Sequence, residues 1–485
     1  MNNQNHIQTR MKMNINPKSW LSTFQKGALA LTLVMSLVLI SGCDNDDDSD
    51  TPEGNSIVKI AQGNSNLSTL VAALTKYPDL VATLSGDGEF TVFAPTNTAF
   101  TNLLSAIGQT SINDVPEDVL KSVLQYHVIT SGAVRSTALT NGNVEAANGE
   151  DIAVNTSGGV KLNGTVNVTT ADVVASNGIV HVVDAVLVPP SIVPIVGTIV
   201  APAYFNKNFT TLIAAVKAAD ASILTTLLGN GPSNKKLTLF APTNAAFAAA
   251  GITTLPNKET LNAVLKYHVI DDEVRAAELP EGSAAITTLG GKFYLSNNGS
   301  EGVFINAKTK VTATDIVGKN GVVHVIDRTL LPPSKTIAGI ATDLSTAATP
   351  QFTQLVAALA RTSGTENDLL AAVSSGDANL TVFAPTDAAF EALYDALEVD
   401  GVNDIPLATL TAVLKHHVVA ARVFSTDLTN GSVATLNGNV TISATNKTVT
   451  DENGNVANLS ADAALLNVLA TNGVIHTIDR VLLPD

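Results

Sequence analysis

The chain has 485 residues, 45% of them hydrophobic and 14% charged, which excludes wholesale disorder and, at roughly 150 residues per domain, indicates about three domains. Its formal net charge of -16 excludes the broad basic surface that nucleic-acid binding requires. The single cysteine allows neither an intrachain disulfide nor a cysteine-based zinc site.

The first 42 residues have the pattern of a secretory signal. Basic residues and no acidic residue precede an apolar run over 27–40, which is shorter than the roughly 20 residues of a membrane-spanning helix. Ser41 and Gly42 then precede Cys43, an order that resembles a bacterial lipobox. It predicts that residues 1–42 are removed and that Cys43 carries a lipid. The alternative is an ordinary signal peptide followed by a chance cysteine.

Residues 43–55 are rich in aspartate and predict a solvated tether. A calcium loop beginning at Asp44 would need glycine at its sixth position and glutamate at its twelfth, where the chain has Ser49 and Asn55. The acidic run therefore favours a spacer over a metal site. Together with the lipid, it predicts a protein anchored in the bacterial cell envelope, with the outer membrane and the cell surface as the expected location. The sequence leaves the orientation of the anchor open.

The remainder of the chain consists of three copies of one unit. Three landmarks recur in the same order at intervals of about 140 to 150 residues, a period that indicates tandem domains rather than a solenoid. They predict a first repeat at 56–190, a second repeat at 195–333 and a third repeat at 336–485. The landmarks are TVFAPTNTAF (91–100), TLFAPTNAAF (238–247) and TVFAPTDAAF (381–390); VLQYHV (123–128), VLKYHV (264–269) and VLKHHV (413–418); and NGIVHVVDAVLVPP (177–190), NGVVHVIDRTLLPP (320–333) and NGVIHTIDRVLLPD (472–485).

The first landmark predicts a buried strand followed by a helix. Its β-branched and aromatic run favours a strand, and the proline ends that strand. The next two residues have side chains that can cap a helix. They are Thr96 and Asn97, Thr243 and Asn244, and Thr386 and Asp387.

The second landmark predicts the end of an amphipathic helix. Leu120, Val123, Leu124 and His127 are spaced i, i+3, i+4 and i+7, which places the histidine on the apolar face. We expect this histidine to be hydrogen-bonded inside the core. The alternative is a contact with a ligand or a partner. The equivalent histidines are His268 and His417.

The residues that precede these histidines are Tyr126, Tyr267 and His416. They lie about 100° around the helix from the histidines, so we expect them to be more exposed. His416 and His417 are adjacent, and neighbouring helical positions diverge too far to chelate one metal ion. The sequence therefore predicts neither a metal site nor a bound cofactor.

The third landmark predicts an Asn-Gly hairpin turn that leads into a buried central strand. His181 and Asp184 are three residues apart, and side chains alternate along a strand. We therefore expect them on opposite faces, where they cannot form a catalytic dyad.

Together, these landmarks resemble the fasciclin domain, and the resemblance covers nearly all of residues 56–485, three times over. It implies an α+β fold of three tandem domains, each a compact wedge of sheet and helices, with an extracellular role in adhesion. In animal members the Tyr-His region is linked to receptor binding. The resemblance thus implies partner contacts at Tyr126, His127, Tyr267 and His268, with the third repeat departing from the pattern at His416 and His417.

No nucleophile elbow, zinc-protease motif, phosphate loop or dinucleotide fingerprint occurs in the sequence. We therefore expect a non-catalytic, lipid-anchored adhesion protein that makes multivalent contacts with cells, a matrix protein or a polysaccharide. One alternative is an envelope protein that binds a soluble ligand or a polysaccharide, in which departures of single repeats mark the site, namely the insert at 451–466 and the region of Tyr294. Another is a passive envelope spacer.

Overall fold

The computed structural model describes residues 54–279, 282–297 and 299–485. The predicted signal segment and Cys43 lie outside these residues, as does the predicted tether up to residue 53. No helix within the described residues combines the length and the apolar character needed to cross a membrane.

The first repeat begins with short helices and ends in a sheet. Helix starts follow local chemistry, since Pro78 occupies the first turn of one helix and the Thr96 hydroxyl accepts a hydrogen bond from the Ala99 amide at the start of another. The helices are α1 Ile57–Gly63, α2 Ser68–Leu74, α3 Pro78–Ser85, α4 Asn97–Ala106 and α5 Glu117–Gln125. The strands are β1 Phe90–Pro95, β2 Val128–Ile129, β3 Gly142–Glu145, β4 Asp151–Asn155, β5 Lys161–Leu162, β6 Val166–Ala175 and β7 Gly178–Val183.

The second repeat has the same order of elements. Its helices are α6 Ala201–Tyr204, α7 Thr210–Ala218, α8 Ala221–Leu228, α9 Asn244–Ala249 and α10 Lys258–Tyr267. Its strands are β8 Leu237–Pro242, β9 Val269–Ile270, β10 Gly282–Thr288, β11 Gly291–Asn297, β12 Val303–Ile305, β13 Thr309–Gly318 and β14 Gly321–Ile326.

The third repeat carries the insert and divides its strands between two sheets. Its helices are α11 Ile337–Ser345, α12 Thr353–Thr362, α13 Leu369–Ser374, α14 Asp387–Leu397 and α15 Leu407–His416. Its strands are β15 Leu380–Pro385, β16 Val418–Val419, β17 Gly431–Ala434, β18 Asn439–Ser443, β19 Thr448–Thr450, β20 Val456–Asn458, β21 Val468–Ala470 and β22 Gly473–Ile478. Short 3-10 helices occur at Ser65–Leu67, Lys207–Phe209, Ala276–Glu278, Gly299–Glu301 and Val402–Asp404.

A parallel pairing joins the first and third landmarks in every repeat. In the first repeat β1 pairs with β7 from Phe90 opposite Gly178 to Pro95 opposite Val183, and β2 pairs with β1 on the other side in antiparallel fashion. The full strand order is β2-β1-β7-β6-β5-β4-β3 in the first repeat and β10-β11-β12-β13-β14-β8-β9 in the second. In the third, β16-β15-β22-β21 and β17-β18-β19-β20 form separate sheets. The predicted central position of the third landmark is confirmed.

Each repeat has apolar cores on both faces of this strand pair. Alternate residues of β1 point to opposite faces, so Val92 and Ala94 pack with the helices while Phe93 packs with β4 and β5. The helical cores of the first and second repeats are continuous, whereas the third repeat has separate clusters of its own. Both classes of secondary structure therefore contribute to one α+β unit.

The predicted hairpin forms in all three repeats, but its turn lies one residue earlier than the Asn-Gly pair. Ala175 pairs with Gly178, so Ser176 and Asn177 form the turn and Gly178 begins β7. The asparagine fastens this turn to the helices. The Asn177 side-chain oxygen accepts a hydrogen bond from the Ile57 amide at 2.9 Å, while its amide group donates to the carbonyls of Leu84 and Gly86, both at 2.9 Å. Asn320 and Asn472 make the equivalent contacts. One side chain thus joins the hairpin to the start of the first helix and the end of the third.

Gly178 is required because the hairpin lies directly against β1. Its φ of 155° is unfavourable for other residues, and a Cβ atom added there would overlap the carbonyl oxygen of Phe90. We expect Gly178→Ala to lower the free energy of unfolding by about 1–3 kcal/mol, as overpacking does elsewhere. Urea unfolding followed by circular dichroism measures this change.

Gly63→Ala provides the matched control, since an added Cβ at Gly63 meets no atom within 4 Å. Its effect should stay within about 1 kcal/mol and favour the folded state, because alanine reduces the entropy of the unfolded chain. Equal destabilisation by both substitutions would contradict the role assigned to the close approach at Gly178.

Candidate functional site

The histidine of the second landmark connects a helix end to the chain segment that follows the last strand. His127 lies just beyond α5, and its Nδ1 is 2.7 Å from the Val123 carbonyl oxygen. The amide of Leu187 donates to its Nε2 at 2.8 Å. A carbonyl can only accept and an amide N–H can only donate, so the ring is neutral with its proton on Nδ1. His268 and His417 repeat this arrangement with Val264 and Leu330, and with Val413 and Leu482.

These three histidines are held in the neutral form. Each is at most 2% exposed, and burial lowers the pKa of each to about 4. The prediction that they are hydrogen-bonded core residues is confirmed. Their burial leaves a partner no surface to contact at His127, His268 or His417 in this conformation.

The expected exposure of the preceding residues is wrong, because Tyr126, Tyr267 and His416 are each fully buried. The end of α5 lies between the two cores of the repeat, so the Tyr126 side chain enters the sheet-side core while Val123 packs with the helices. The Tyr126 hydroxyl donates to the Asp151 carbonyl at 2.6 Å and accepts from the Asn163 side-chain amide at 3.0 Å. The helical periodicity of the sequence identifies the apolar face that packs with the helices. It does not show that a second apolar core covers the side of the helix end that carries Tyr126.

The third repeat replaces this tyrosine with His416. Its Nδ1 lies 2.5 Å from the Asn437 carbonyl, while its Nε2 is buried without a hydrogen-bond partner. Within the described ranges, no group of three or more histidine, cysteine, aspartate or glutamate residues is placed to hold a metal ion. His416 and His417 are both buried within the third repeat. Cys43, the predicted lipid site, lies outside the described residues.

The other landmark residues also make internal contacts. His181 Nε2 lies 3.0 Å from the Val134 carbonyl, and its Nδ1 accepts from the Asp172 amide at 3.2 Å. Asp184 instead binds the backbone and side chain of Asn167, at 2.8 and 2.7 Å. The prediction that His181 and Asp184 are directed apart agrees with these contacts.

One prediction for the first landmark is only half right. Thr96 caps α4 as expected, but Asn97 does not, because its side-chain oxygen accepts from the Thr69 amide at 2.9 Å and thereby fastens α4 to α2. Asn244 and Asp387 make the same contact with Thr211 and Gln354. Their partners lie about thirty residues earlier in the chain, which local capping patterns do not reveal.

The repeated polar residues are therefore engaged inside the repeats, so surfaces that differ between repeats are better candidates for function. The clearest difference is the contact between the second and third repeats. The Tyr294 ring of β11 lies 5.5 Å from the Phe424 ring, and the Arg422 guanidinium is 4.7 Å from the Tyr294 ring centre. In the first repeat, Ala153 stands at the position of Tyr294, since the amide of each residue donates to the side-chain oxygen of an equivalent asparagine, Asn163 or Asn306.

A cleft of about 520 Å³ adjoins this contact. The second repeat contributes Ala307, Lys308 and Arg328 to its walls, and the third contributes the remainder. Those residues are Ser425, Lys447, Ala463, Ala464, Leu466 and Asn467. The two departures singled out in the sequence, the Tyr294 region and the insert at 451–466, thus meet at one junction.

The cleft collects positive charge in an acidic protein. Lys308, Arg328 and Lys447 line it, and the ion pairs found among the described residues all involve other cations. Burial, and then the nearby Arg328 charge, lower the pKa of Lys308 to about 8, against an opposing effect of Asp462. The sequence pattern does not bring these cations together, because Lys308 and Lys447 are 139 positions apart in the chain.

Comparison with known proteins identifies the repeats. The family described as Fasciclin domain matches residues 65–189, 207–332 and 350–484. The chain is 28% identical over 438 residues to transforming growth factor-beta-induced protein ig-h3 of Sus scrofa, which covers 89% of this chain and 58% of that protein. It is 30% identical over 362 residues to periostin of Homo sapiens, which covers 72% of this chain and 39% of that protein.

A shorter relative matches one repeat's length. Protein sll1483 of Synechocystis sp. is 42% identical over 141 residues, which is 29% of this chain and 77% of that protein. The chain therefore spans most of this relative's length, but less than two thirds of the length of the two animal relatives.

The neutral histidines predict a specific pH dependence of stability. In the unfolded chain a histidine becomes protonated near pH 6.5, whereas His127 of the folded chain becomes protonated only near pH 4. The contribution of each histidine to the free energy of unfolding is therefore fully present above pH 6.5. It is lost as the pH falls towards 4, by on the order of 3 kcal/mol per histidine. Urea unfolding at pH 7, 6, 5 and 4.5 measures this loss.

His127→Gln is the diagnostic variant, because a glutamine can donate and accept but does not titrate. We expect it to be less stable at pH 7 and to lose less stability between pH 6.5 and 4.5 than the unaltered chain. Identical pH dependences for the two proteins would refute the assignment of neutral His127.

Proposed function

The chain belongs to the fasciclin domain family, and we propose that it is a non-enzymatic adhesion protein of the bacterial cell envelope. In this proposal a lipid on Cys43 holds it in the outer membrane, and its repeats contact other cells, a matrix protein or a polysaccharide. The observation that carries the proposal is the use of the repeated polar residues as internal tethers three times over, which leaves the outer surfaces of the repeats free to differ.

The non-enzymatic assignment is supported by how the reactive side chains are engaged. Catalytic histidines need a free nitrogen near a nucleophile or a substrate. In His127, both ring nitrogens are bonded to backbone groups, and His268 and His417 have the same two contacts. The same arrangement in every copy favours a structural role.

Multivalent binding is supported by direct contacts between neighbouring repeats. The Lys207 amide and side chain donate to the Asp114 and Asn113 carbonyls across the first junction, at 2.8 and 3.1 Å. Tyr294 contacts Phe424 and Arg422 across the second. Contacts of this kind limit the freedom of linked sites, and linkage can raise avidity by roughly 10²- to 10⁴-fold when the geometry permits simultaneous binding.

The expected location follows from the sequence. The lipobox-like order before Cys43 and the acidic segment after it support an anchored protein held away from the lipid surface. The net charge of -16 argues against nucleic acid and against direct binding of anionic lipid headgroups. Contact with other cells additionally requires that the repeats lie on the outer face of the envelope, and this orientation is part of the proposal.

Protease treatment of intact cells tests the location. We expect externally added protease to remove the unaltered protein, and Cys43→Ala to release it from the membrane fraction. Full protection until the outer membrane is opened would place the protein in the periplasm and would exclude contact with other cells. Unchanged membrane attachment of Cys43→Ala would refute the lipid site.

Surface binding by chains of different length tests multivalency. We expect residues 44–485 to bind cells or matrix at least ten times more tightly than residues 336–485, which contain separate apolar cores. Circular dichroism checks that the shorter chain is folded. Equal affinity of the two chains would exclude avidity as the basis of adhesion.

A second candidate function is the binding of an envelope ligand. The cleft between the second and third repeats favours it, because its volume of about 520 Å³ falls within the roughly 300–1,000 Å³ of small-molecule sites. This function and adhesion can coexist in one chain.

A further inference from the structure

We propose that the cleft between the second and third repeats binds an acidic sugar unit, with Lys308, Arg328 and Lys447 holding its carboxylate or sulfate group. This proposal rests on the second candidate function given above, the binding of a ligand in this cleft, and it does not depend on adhesion. The argument rests on the charge of the cleft, on the hydroxyl of Ser425, on the shape of its walls, and on a comparison with the first repeat.

The charge of the cleft calls for an anion. Three cations line the cleft. Arg328 uses one N–H to bind the Ala249 carbonyl at 2.6 Å, and the other N–H groups of its guanidinium can bind a ligand. The nearby acid is Asp462, whose carboxylate accepts from the Ala464 amide at 2.8 Å. An oxyanion would offset the repulsion between Lys308 and Arg328 and form charge-assisted hydrogen bonds.

Asn467 makes the wall of the cleft less negative, which also favours an anionic ligand. In the first repeat Asp172 accepts from both the amide and the hydroxyl of Ser136, at 2.7 and 2.6 Å. In the third repeat Asn467 takes this place. It accepts from the Ser425 amide at 2.8 Å and donates to the Ser425 oxygen at 2.7 Å. The exchange removes a negative charge from the cleft wall.

The exchange also reverses the role of the serine. The Ser136 hydroxyl gives its proton to Asp172, whereas the Ser425 oxygen already accepts from Asn467. The hydroxyl proton of Ser425 is therefore available to a ligand, because a hydroxyl has one donor besides its lone pairs. Ser425 lines the cleft, so it can add a neutral donor beside the three cations.

The shape of the cleft favours a sugar over a small inorganic ion. Its volume of about 520 Å³ is in the range of organic ligands. Its walls also include the alkyl side chains of Ala307, Ala463, Ala464 and Leu466. A sugar ring has C–H faces that can pack on alkyl groups while its acidic substituent meets the cations, whereas phosphate or sulfate alone has no apolar face to bury.

The first repeat shows that these cations are not needed for the fold. Thr165 precedes β6 where Lys308 precedes β13, and Ala185 follows Asp184 where Arg328 follows Asp327. The equivalent surface of the first repeat therefore has neither charge. The double variant Lys308→Thr/Arg328→Ala installs residues that the fold already accepts at these positions, so it should fold.

The test is titration calorimetry on the whole mature chain at pH 7 and low salt, with trigalacturonic acid as the probe and inorganic phosphate and sulfate as comparisons. We expect the double variant to bind trigalacturonic acid at least tenfold more weakly. Asn467→Asp should also weaken binding severalfold, because it restores the acid of the first repeat while keeping the tether to Ser425. Lys76→Thr/Arg135→Ala makes the same change in charge at exposed sites of the first repeat and should bind like the unaltered chain.

Affinity should also fall as the pH rises above about 8, where Lys308 loses its proton. The charged and titratable groups around Lys308 are Arg328, Lys447, Asp462 and the buried His476. Burial lowers the pKa of His476 to about 4, so this histidine stays neutral between pH 7 and 9. Absence of binding by the unaltered chain, or equal binding by the double variant and its control, would overturn the site. Equal affinity for phosphate and trigalacturonic acid would overturn the assignment to a sugar.

Discussion

Each repeat depends on a buried neutral imidazole that joins the end of a helix to the chain segment leaving the last strand. In the first repeat His127 donates to Val123 and accepts from Leu187, which lies sixty residues later. No apolar side chain can satisfy both backbone groups, and leaving one unsatisfied in the core costs about 1–3 kcal/mol. The contact holds α5 against the parallel pair of β1 and β7, around which both cores form.

Other polar side chains of the landmarks also join segments of a repeat that are distant in the chain. Asn177 fastens the hairpin turn to two helices, and Asn97 fastens α4 to α2. These side chains are the most recognisable features of the sequence, and they serve the interior of each repeat. The residues that identify the family therefore do not identify a binding site, because their side chains make contacts inside each repeat.

Several differences between repeats lie where the second repeat meets the third. Tyr294, which replaces a small residue of the first repeat, contacts Arg422 and Phe424. The adjoining cleft has cations on both sides, and Asn467 takes the place of an aspartate there. A junction of this kind can gain a chemistry of its own, because Lys308 and Arg328 have uncharged counterparts in the first repeat, Thr165 and Ala185.

The sequence by itself determined the three tandem α+β units, the capped strand-to-helix corner, the hairpin of the third landmark and the core histidines. Each of these depends on residue spacing within one segment, where periodicity and backbone preferences act directly. Only the tertiary structure decided that Tyr126 and His416 are buried, that Asn97 reaches Thr69, and that Lys308 and Lys447 line one cleft. Those outcomes depend on which faces of distant segments pack together, and the spacing of residues along the chain does not contain that information.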